Sequence, residues 1–228
     1  MSHQPILSQL RLREDAPIRA LWQTLVPASG DERVARTHQL LWTLFADSAS
    51  RTRDFLWREE RPGCFVVLSE RPPCDAHDLF HIESSRPFVF DYAAGTSGRF
   101  VLRVNATVSR GGAQGVRGKP CDVVMDALRA VPSGSRATAR AEALVPAARA
   151  WMEARADRDG FRVDDLTVTS YRVHQISRTR GAARASVGVL DIEGAMTVVE
   201  PGLLRAAVLR GFGRARSFGN GLLLFRMR

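Results

Sequence analysis

The order in which the hydrophobic period switches along the chain constrains its fold more than any other feature. Ile6 to Arg13 alternates, with Ile6, Ser8, Leu10 and Leu12 on one face, and reads as a strand. From Asp31, a good N-cap, to about Asp47 the period changes. Val34, His38, Leu41, Trp42 and Phe45 fall on one face of a 3.6-residue repeat, which predicts a helix. Phe55–Glu59 and Cys64–Ser69 flank the turn Arg61-Pro62-Gly63 as two further strands. A short helix is expected near Cys74, and Arg86–Tyr92 and Phe100–Ala106 alternate like strands. The sequence therefore predicts βαββαβ, the ferredoxin-like order, over residues 1–106.

The composition loosens after that point. Ser109 to Lys119 carries four glycines, and Val131 to Thr138 is a second loose stretch, so 107–140 reads as linker and basic loop. Residues 141–228 then give a helix over Glu142–Asp157 and a β-like run over Phe161–Ile176. An arginine-rich turn with Arg178, Arg180 and Arg184 leads into a long strand over Ser186–Val199. Pro201–Arg210 is a helix with proline in its first turn, and a last strand follows at Leu222–Arg226. The expected class is α+β, with two tandem ferredoxin-like domains at 1–106 and 141–228.

Charge narrows the function. Thirty-three basic residues against 24 acidic ones give +9 over 228 residues, and Lys119 is the one lysine. Such a balance favours a polyanionic partner, nucleic acid before an anionic membrane. Guanidinium groups suit bidentate phosphate contacts and stacking on bases. The three cysteines, Cys64, Cys74 and Cys121, show neither a CxxC spacing nor an even count, which argues for a reducing cytoplasm and against a disulfide framework or zinc site. The first residues lack the apolar stretch of a signal peptide, and no 18-residue apolar run exists to span a membrane. No cofactor is implied. His77 and His81 have metal-pair spacing but no further ligands close by in sequence, so they read as surface histidines.

The segment Gly211 to Gly221 is the densest motif. Gly211, Gly213, Gly219 and Gly221 alternate with Arg214 and Arg216 between a helix and a strand. It lacks the GK[ST] of a Walker loop, and Arg216 occupies the third glycine position of a dinucleotide fingerprint. Two readings stay open. The glycines let a phosphodiester approach main-chain N–H groups while the arginines add charge, or they only satisfy the backbone of a tight turn.

This loop, the leucines after it and three further segments resemble the CasE family of the RAMP superfamily, the CRISPR RNA-processing endoribonucleases of type I-E Cascade complexes. Thr37 to Phe45 resembles the family's helix motif, a histidine followed by an LW..LF run. Arg53 to Arg58 resembles its RDFLF-type strand, and Phe100 to Ala106 its F.LRANP strand. The resemblance covers most of the chain. It implies tandem ferredoxin-like domains and metal-independent cleavage of the CRISPR repeat at the base of a stem-loop. The 2′-hydroxyl attacks the adjacent phosphate to leave a 2′,3′-cyclic phosphate. The mature crRNA and other Cascade subunits are the implied partners.

The resemblance makes His38 the catalytic group. Its pKa range suits proton transfer to or from the reacting oxygens, although a lone histidine on an apolar helix face is also a common packing residue. Lys119 would stabilise phosphorane charge, with Arg117 in the same basic stretch. Arg36 neighbours the histidine, and Arg178, Arg180 and Arg184 match a basic hairpin laid on the RNA stem, where contact is mainly to backbone and shape. One position departs from the family: Ala35 stands where a tyrosine is common. That departure keeps a second reading open, a non-catalytic crRNA-binding subunit. An unrelated RRM-type protein would need the RNP aromatic motif, which the sequence lacks.

Overall fold

The computed structural model describes residues 4–15, 30–48, 50–111, 118–176 and 185–227. Its first half contains β1 (Ile6–Leu12), α1 (Gly30–Trp42), β2 (Phe55–Arg61), β3 (Cys64–Ser69) and β4 (Phe80–Pro87). These strands form one antiparallel sheet in the order β2-β3-β1-β4. The apolar face of α1 closes it. Leu40, Leu41, Leu44 and Phe45 pack on Leu10, Leu12, Phe55, Trp57, Phe65 and Val67, all buried. Removing such faces from water is the main stabilising term, roughly 1.5–3 kcal/mol per large apolar side chain.

Two local expectations fail here. The stretch near Cys74 is a turn, not a helix; the Asp75 carboxylate accepts the Leu79 and Phe80 N–H groups at 3.1 and 2.7 Å and swings the chain into β4. The strand expected at Arg86–Tyr92 lies earlier, at Phe80–Pro87. As an edge strand with most side chains exposed, β4 has no apolar alternation to read. The alternating Phe88, Phe90 and Tyr92 belong to the segment that crosses to the second sheet, where Tyr92 meets Phe90 and Phe225 edge-on at 4.8 and 4.9 Å.

The second half contains β5 (Ser97–Val104), the ribbon β6 (Thr107–Ser109) and β7 (Pro120–Asp122), α2 (Val123–Ala127), α3 (Arg136–Glu153) and α4 (Ala156–Asp159). It continues through β8 (Phe161–Ile176), β9 (Ala185–Val198), α5 (Pro201–Arg210) and β10 (Leu223–Met227). Its sheet runs β10-β5-β9-β8, antiparallel throughout, so both units share the strand order of a ferredoxin-like fold. The expected boundary at residue 106 is therefore displaced. Strand β5 is the first strand of the second unit, pairing with β9 and β10, and the changeover falls between Pro87 and Ser97. The stretch 107–140 is not all linker either, since it carries β6, β7, α2 and the start of α3. Asp122 caps α2, its Oδ1 accepting the Val124 and Met125 N–H groups at 2.9 and 3.1 Å.

The two units are pinned together by charge. Asp191 on β9 accepts Arg103 of β5 at 2.8 and 3.1 Å and lies 3.9 Å from Arg58 of β2, all three side chains largely buried. Arg103 also donates to the Glu59 carbonyl at 3.2 Å. Burial, with Arg103 adding repulsion, pulls the Arg58 guanidinium below its ordinary pKa.

Candidate functional site

His38 lies at the seam between the units. One turn of α1 puts Thr37, Leu40 and Leu41 into the core and leaves the imidazole half-buried beside it. The ring sits 6.0 Å from Trp42 and from Phe55, and 6.4 Å from Phe218, which comes from the glycine loop of the second unit. Nδ1 is buried and has no hydrogen-bond partner among the described residues. Burial lowers the His38 pKa below its usual 6.5, and the nearby Arg53 guanidinium lowers it further. The imidazole is thus held neutral near pH 7, the form able to take a proton.

The glycine loop hooks onto both sheets. The Phe212 N–H donates to the Gly221 carbonyl at 2.9 Å, Gly221 N–H to Arg103 at 2.7 Å and Arg214 N–H to Asn105 at 3.1 Å. The Trp57 indole N–H reaches back from the first unit to the Ser217 carbonyl at 3.2 Å. Gly219 has φ +74°, and a Cβ there would lie 2.9 Å from two ring carbons of Trp57. Gly211 and Gly221 are likewise buried with positive φ, while Gly213 is half-buried with its would-be Cβ 2.5 Å from Val104. Backbone conformation and close packing therefore account for all four glycines. Asn220 fastens the turn, its amide donating to the Ala215 and Phe218 carbonyls at 3.1 and 3.2 Å. Of the loop arginines, Arg214 is exposed, and Arg216 is half-buried with its guanidinium bonded to the Arg210 carbonyl.

A cavity of about 120 Å³ opens between α1, the loop and the β8–β9 hairpin. Thr37, Glu59 and Phe218 line it from one side, and Ser170, Arg172 and His174 from the other. Arg172 and His174 are absent from the sequence-derived set. The only signal for them was the alternation Ser170, Arg172, His174 on one face of a strand.

The other candidates scatter. Arg36 is exposed on α1. Lys119 is exposed just before β7, and its neighbour Pro120 shares a cavity of about 240 Å³ with Asp122, Arg214 and Phe218. Nothing in the described contacts brings the Lys119 ammonium to His38. Arg117, Arg178, Arg180 and Arg184 lie outside the described residues. Among the described residues, no three histidine, cysteine or acidic side chains are grouped to hold a metal ion, and no helix is long and apolar enough to cross a membrane.

Known proteins share this fold. The chain is 23% identical over 209 residues to the CRISPR system Cascade subunit CasE of Escherichia coli strain K12, a match spanning 89% of this chain and 96% of that protein. Among solved structures it is similar to Thermus thermophilus Cse3 bound to an RNA representing a pre-cleavage complex, with 20% identity, a TM-score of 0.67, and 98% and 99% of the two chains covered. It is also similar to the CRISPR-associated protein Cas6e of E. coli K-12, with 21% identity, a TM-score of 0.60, and 98% and 100% covered. At these identities the structural likeness speaks for the fold, two tandem ferredoxin-like domains. The family itself follows from a sequence match that runs from residue 7 to residue 226: the chain belongs to the family of CRISPR-associated proteins.

Proposed function

We propose that the chain is an endoribonuclease that cleaves CRISPR precursor RNA within the repeat, at the base of its stem-loop, and stays on the mature crRNA as a Cascade subunit. Cleavage needs no metal: the RNA's own 2′-hydroxyl attacks the phosphate and leaves a 2′,3′-cyclic phosphate. One observation carries the reading. A half-buried histidine, held neutral by burial and by the nearby Arg53 charge, stands at the seam of two ferredoxin-like sheets in a +9 chain. In this reading His38 takes the proton of the attacking 2′-hydroxyl, since burial and Arg53 hold it neutral. Arg36, Arg214 and Arg216, with Arg117, Arg178, Arg180 and Arg184, supply phosphate contacts. The relatives' names, a Cascade subunit and a Cse3 bound to RNA, agree with it.

Ala35 favours the second reading, a subunit that binds crRNA without cutting it. Its side chain offers no hydroxyl on the turn of α1 preceding His38.

Labelled repeat RNA, incubated with excess protein in EDTA, separates the two. The wild type should cleave at one site and leave a cyclic phosphate. His38→Ala should be slower by about 10²–10⁴-fold, the usual contribution of a positioned acid or base, with RNA affinity little changed. Tight binding without cleavage by the wild type overturns the enzyme reading. Cleavage restored only by Mg²⁺ overturns the metal-free mechanism.

A further inference from the structure

Arg53, close to His38, and Arg216, close to Arg53, have no carboxylate partner among the described residues. The half-buried arginines around them are all paired: Arg33 with Glu59, Arg58 and Arg103 with Asp191, and Arg71 with Asp54. Arg53, half-buried just before β2, instead donates through Nη1 to the Phe55 carbonyl at 2.8 Å. Arg216 donates to the Arg210 carbonyl. Neither has an ion pair among the described residues; burial lowers the Arg53 pKa, and repulsion from Arg216 lowers it further.

Both line one cavity of about 310 Å³, with Phe55 and Arg210 beside them. Its acidic members are Asp54, whose Oδ2 is bonded to Arg71 at 2.6 Å, and exposed Glu70. Phe55 is one of its lining residues and has its ring 6.0 Å from the His38 ring, and Arg53 in the same lining is the charge that acts on the imidazole. Two like charges, partly desolvated and unpaired, are costly to hold together. An anion placed between them removes that cost, and the guanidinium fork matches a phosphate's oxygens. Each arginine is already oriented by its bond to a main-chain carbonyl, so little side-chain freedom is lost on binding.

We propose that Arg53 and Arg216 seat the scissile phosphate, Arg53 being a catalytic residue that neutralises the charge building on the phosphorane beside His38. The assignment rests on the endoribonuclease reading. In the step it serves, the 2′-oxygen forms a bond to phosphorus and its proton passes to His38. The bond from phosphorus to the 5′-oxygen breaks, and that oxygen takes a proton from water or from the imidazolium. Nothing is oxidised or reduced, and the diester's single charge is carried over to the cyclic phosphate. Only the pentacoordinate state bears an extra negative charge, so a cation there lowers the barrier more than it tightens ground-state binding. This gives to the arginine pair the role that the family resemblance implies for Lys119.

The test compares wild type with Arg53→Ala, Arg53→Lys and Arg216→Ala, all checked by thermal melting. Single-turnover cleavage of repeat RNA is read alongside affinity for the same RNA carrying 2′-deoxyribose at the cut site. Arg53→Ala should cleave about 10²–10³-fold more slowly, as on losing one oxyanion donor, while affinity falls by less than about tenfold. Arg53→Lys should recover part of the rate, and the acid limb of the rate–pH profile should move upward in Arg53→Ala as His38 loses a cationic neighbour. A folded Arg53→Ala within threefold of a cleaving wild type overturns the assignment and leaves the enzyme reading standing. If the wild type does not cleave, the enzyme reading falls and the anion seat is judged by itself. NMR titration with inorganic phosphate should then raise the His38 pKa saturably in wild type and not in Arg53→Ala; no saturable rise overturns the seat.

Discussion

Replacing Gly219 with alanine separates a glycine that shapes the loop from one that cradles phosphate. The residue sits at φ +74°, where an L side chain costs about 1–2 kcal/mol. Its new Cβ would also lie 2.9 Å from Cη2 and Cζ3 of Trp57. That ring is buried and bonded through its N–H to Ser217 of the same loop, so it cannot swing aside without breaking the contact that holds the loop. Overpacking of this kind typically costs a further 1–3 kcal/mol, roughly 2–5 kcal/mol in all. At about 2–4 °C per kcal/mol for a chain of this size, the melting temperature should fall by about 5 °C or more. Gly202 is the matched control. It lies in the first turn of α5, is exposed, and a Cβ there meets nothing within 4 Å. Gly202→Ala should leave stability unchanged or raise it by up to about 1 kcal/mol. Melting curves and repeat-RNA binding measured on both variants decide the matter. Gly219→Ala that melts within about 2 °C of wild type yet binds RNA poorly would refute the packing argument.

Asp191→Asn should destabilise the chain by roughly 2–4 kcal/mol in urea unfolding, because Arg58 and Arg103 then face each other without a counter-charge; the partial exposure of the cluster keeps the loss below that of a fully buried pair. Adding Arg58→Met should recover part of it, and additive losses would count against a shared cluster. The His38 pKa is lower in the folded chain than the 6.5 of the free side chain, so the stability linked to it is complete above pH 6.5 and is lost as pH falls through the folded value; His38→Gln should flatten that part of the stability–pH curve. With His38 as base, the cleavage rate should rise through an acid limb centred below 6.5 and level off at neutral pH, and a rate that falls through this range would make it the acid. RNA affinity should drop by about 100-fold or more between roughly 50 and 200 mM salt, as counterion release requires of many phosphate contacts; a flat response would refute electrostatic binding.

The elements that face one core were legible in the sequence, and those that face two partners were not. Pro201–Arg210 and Phe161–Ile176 matched their expected bounds because proline, glycine and a sustained period mark them locally. Strand β5 was placed in the wrong unit because Phe100, Leu102 and Val104 record only that one face is buried, not which sheet buries it. His38 could be singled out because its motif is local to one helix. Arg172 and His174 could not, since what joins them to Thr37 is the docking of two domains. Arg53 opens the RDFLF-type segment, whose pattern marks a strand and nothing more. Its distinction is the absence of a carboxylate partner among the described residues and the presence of Arg216, both properties of the folded chain.

The proposed site is therefore a product of the seam rather than of either domain. The first unit supplies His38, Phe55 and Arg53, and the last loop of the second supplies Phe218 and Arg216. Three contacts hold these parts in register: the Trp57 indole on Ser217, the Arg103 guanidinium on the Glu59 carbonyl, and Asp191 between the arginines of both sheets. None of the three touches the imidazole. Each fixes the distance at which Phe218 covers it and at which Arg216 stands from Arg53. The loop's glycines matter for the same reason, since only a backbone with positive φ at Gly219 can lie flat against Trp57 and still present Phe218 to α1. The proposed chemistry, sensitive to misplacements of about an ångström, is thus tied to the packing of two domains that share apolar surface: Leu56, Val66 and Leu68 of the first sheet lie in the core cluster of the second unit.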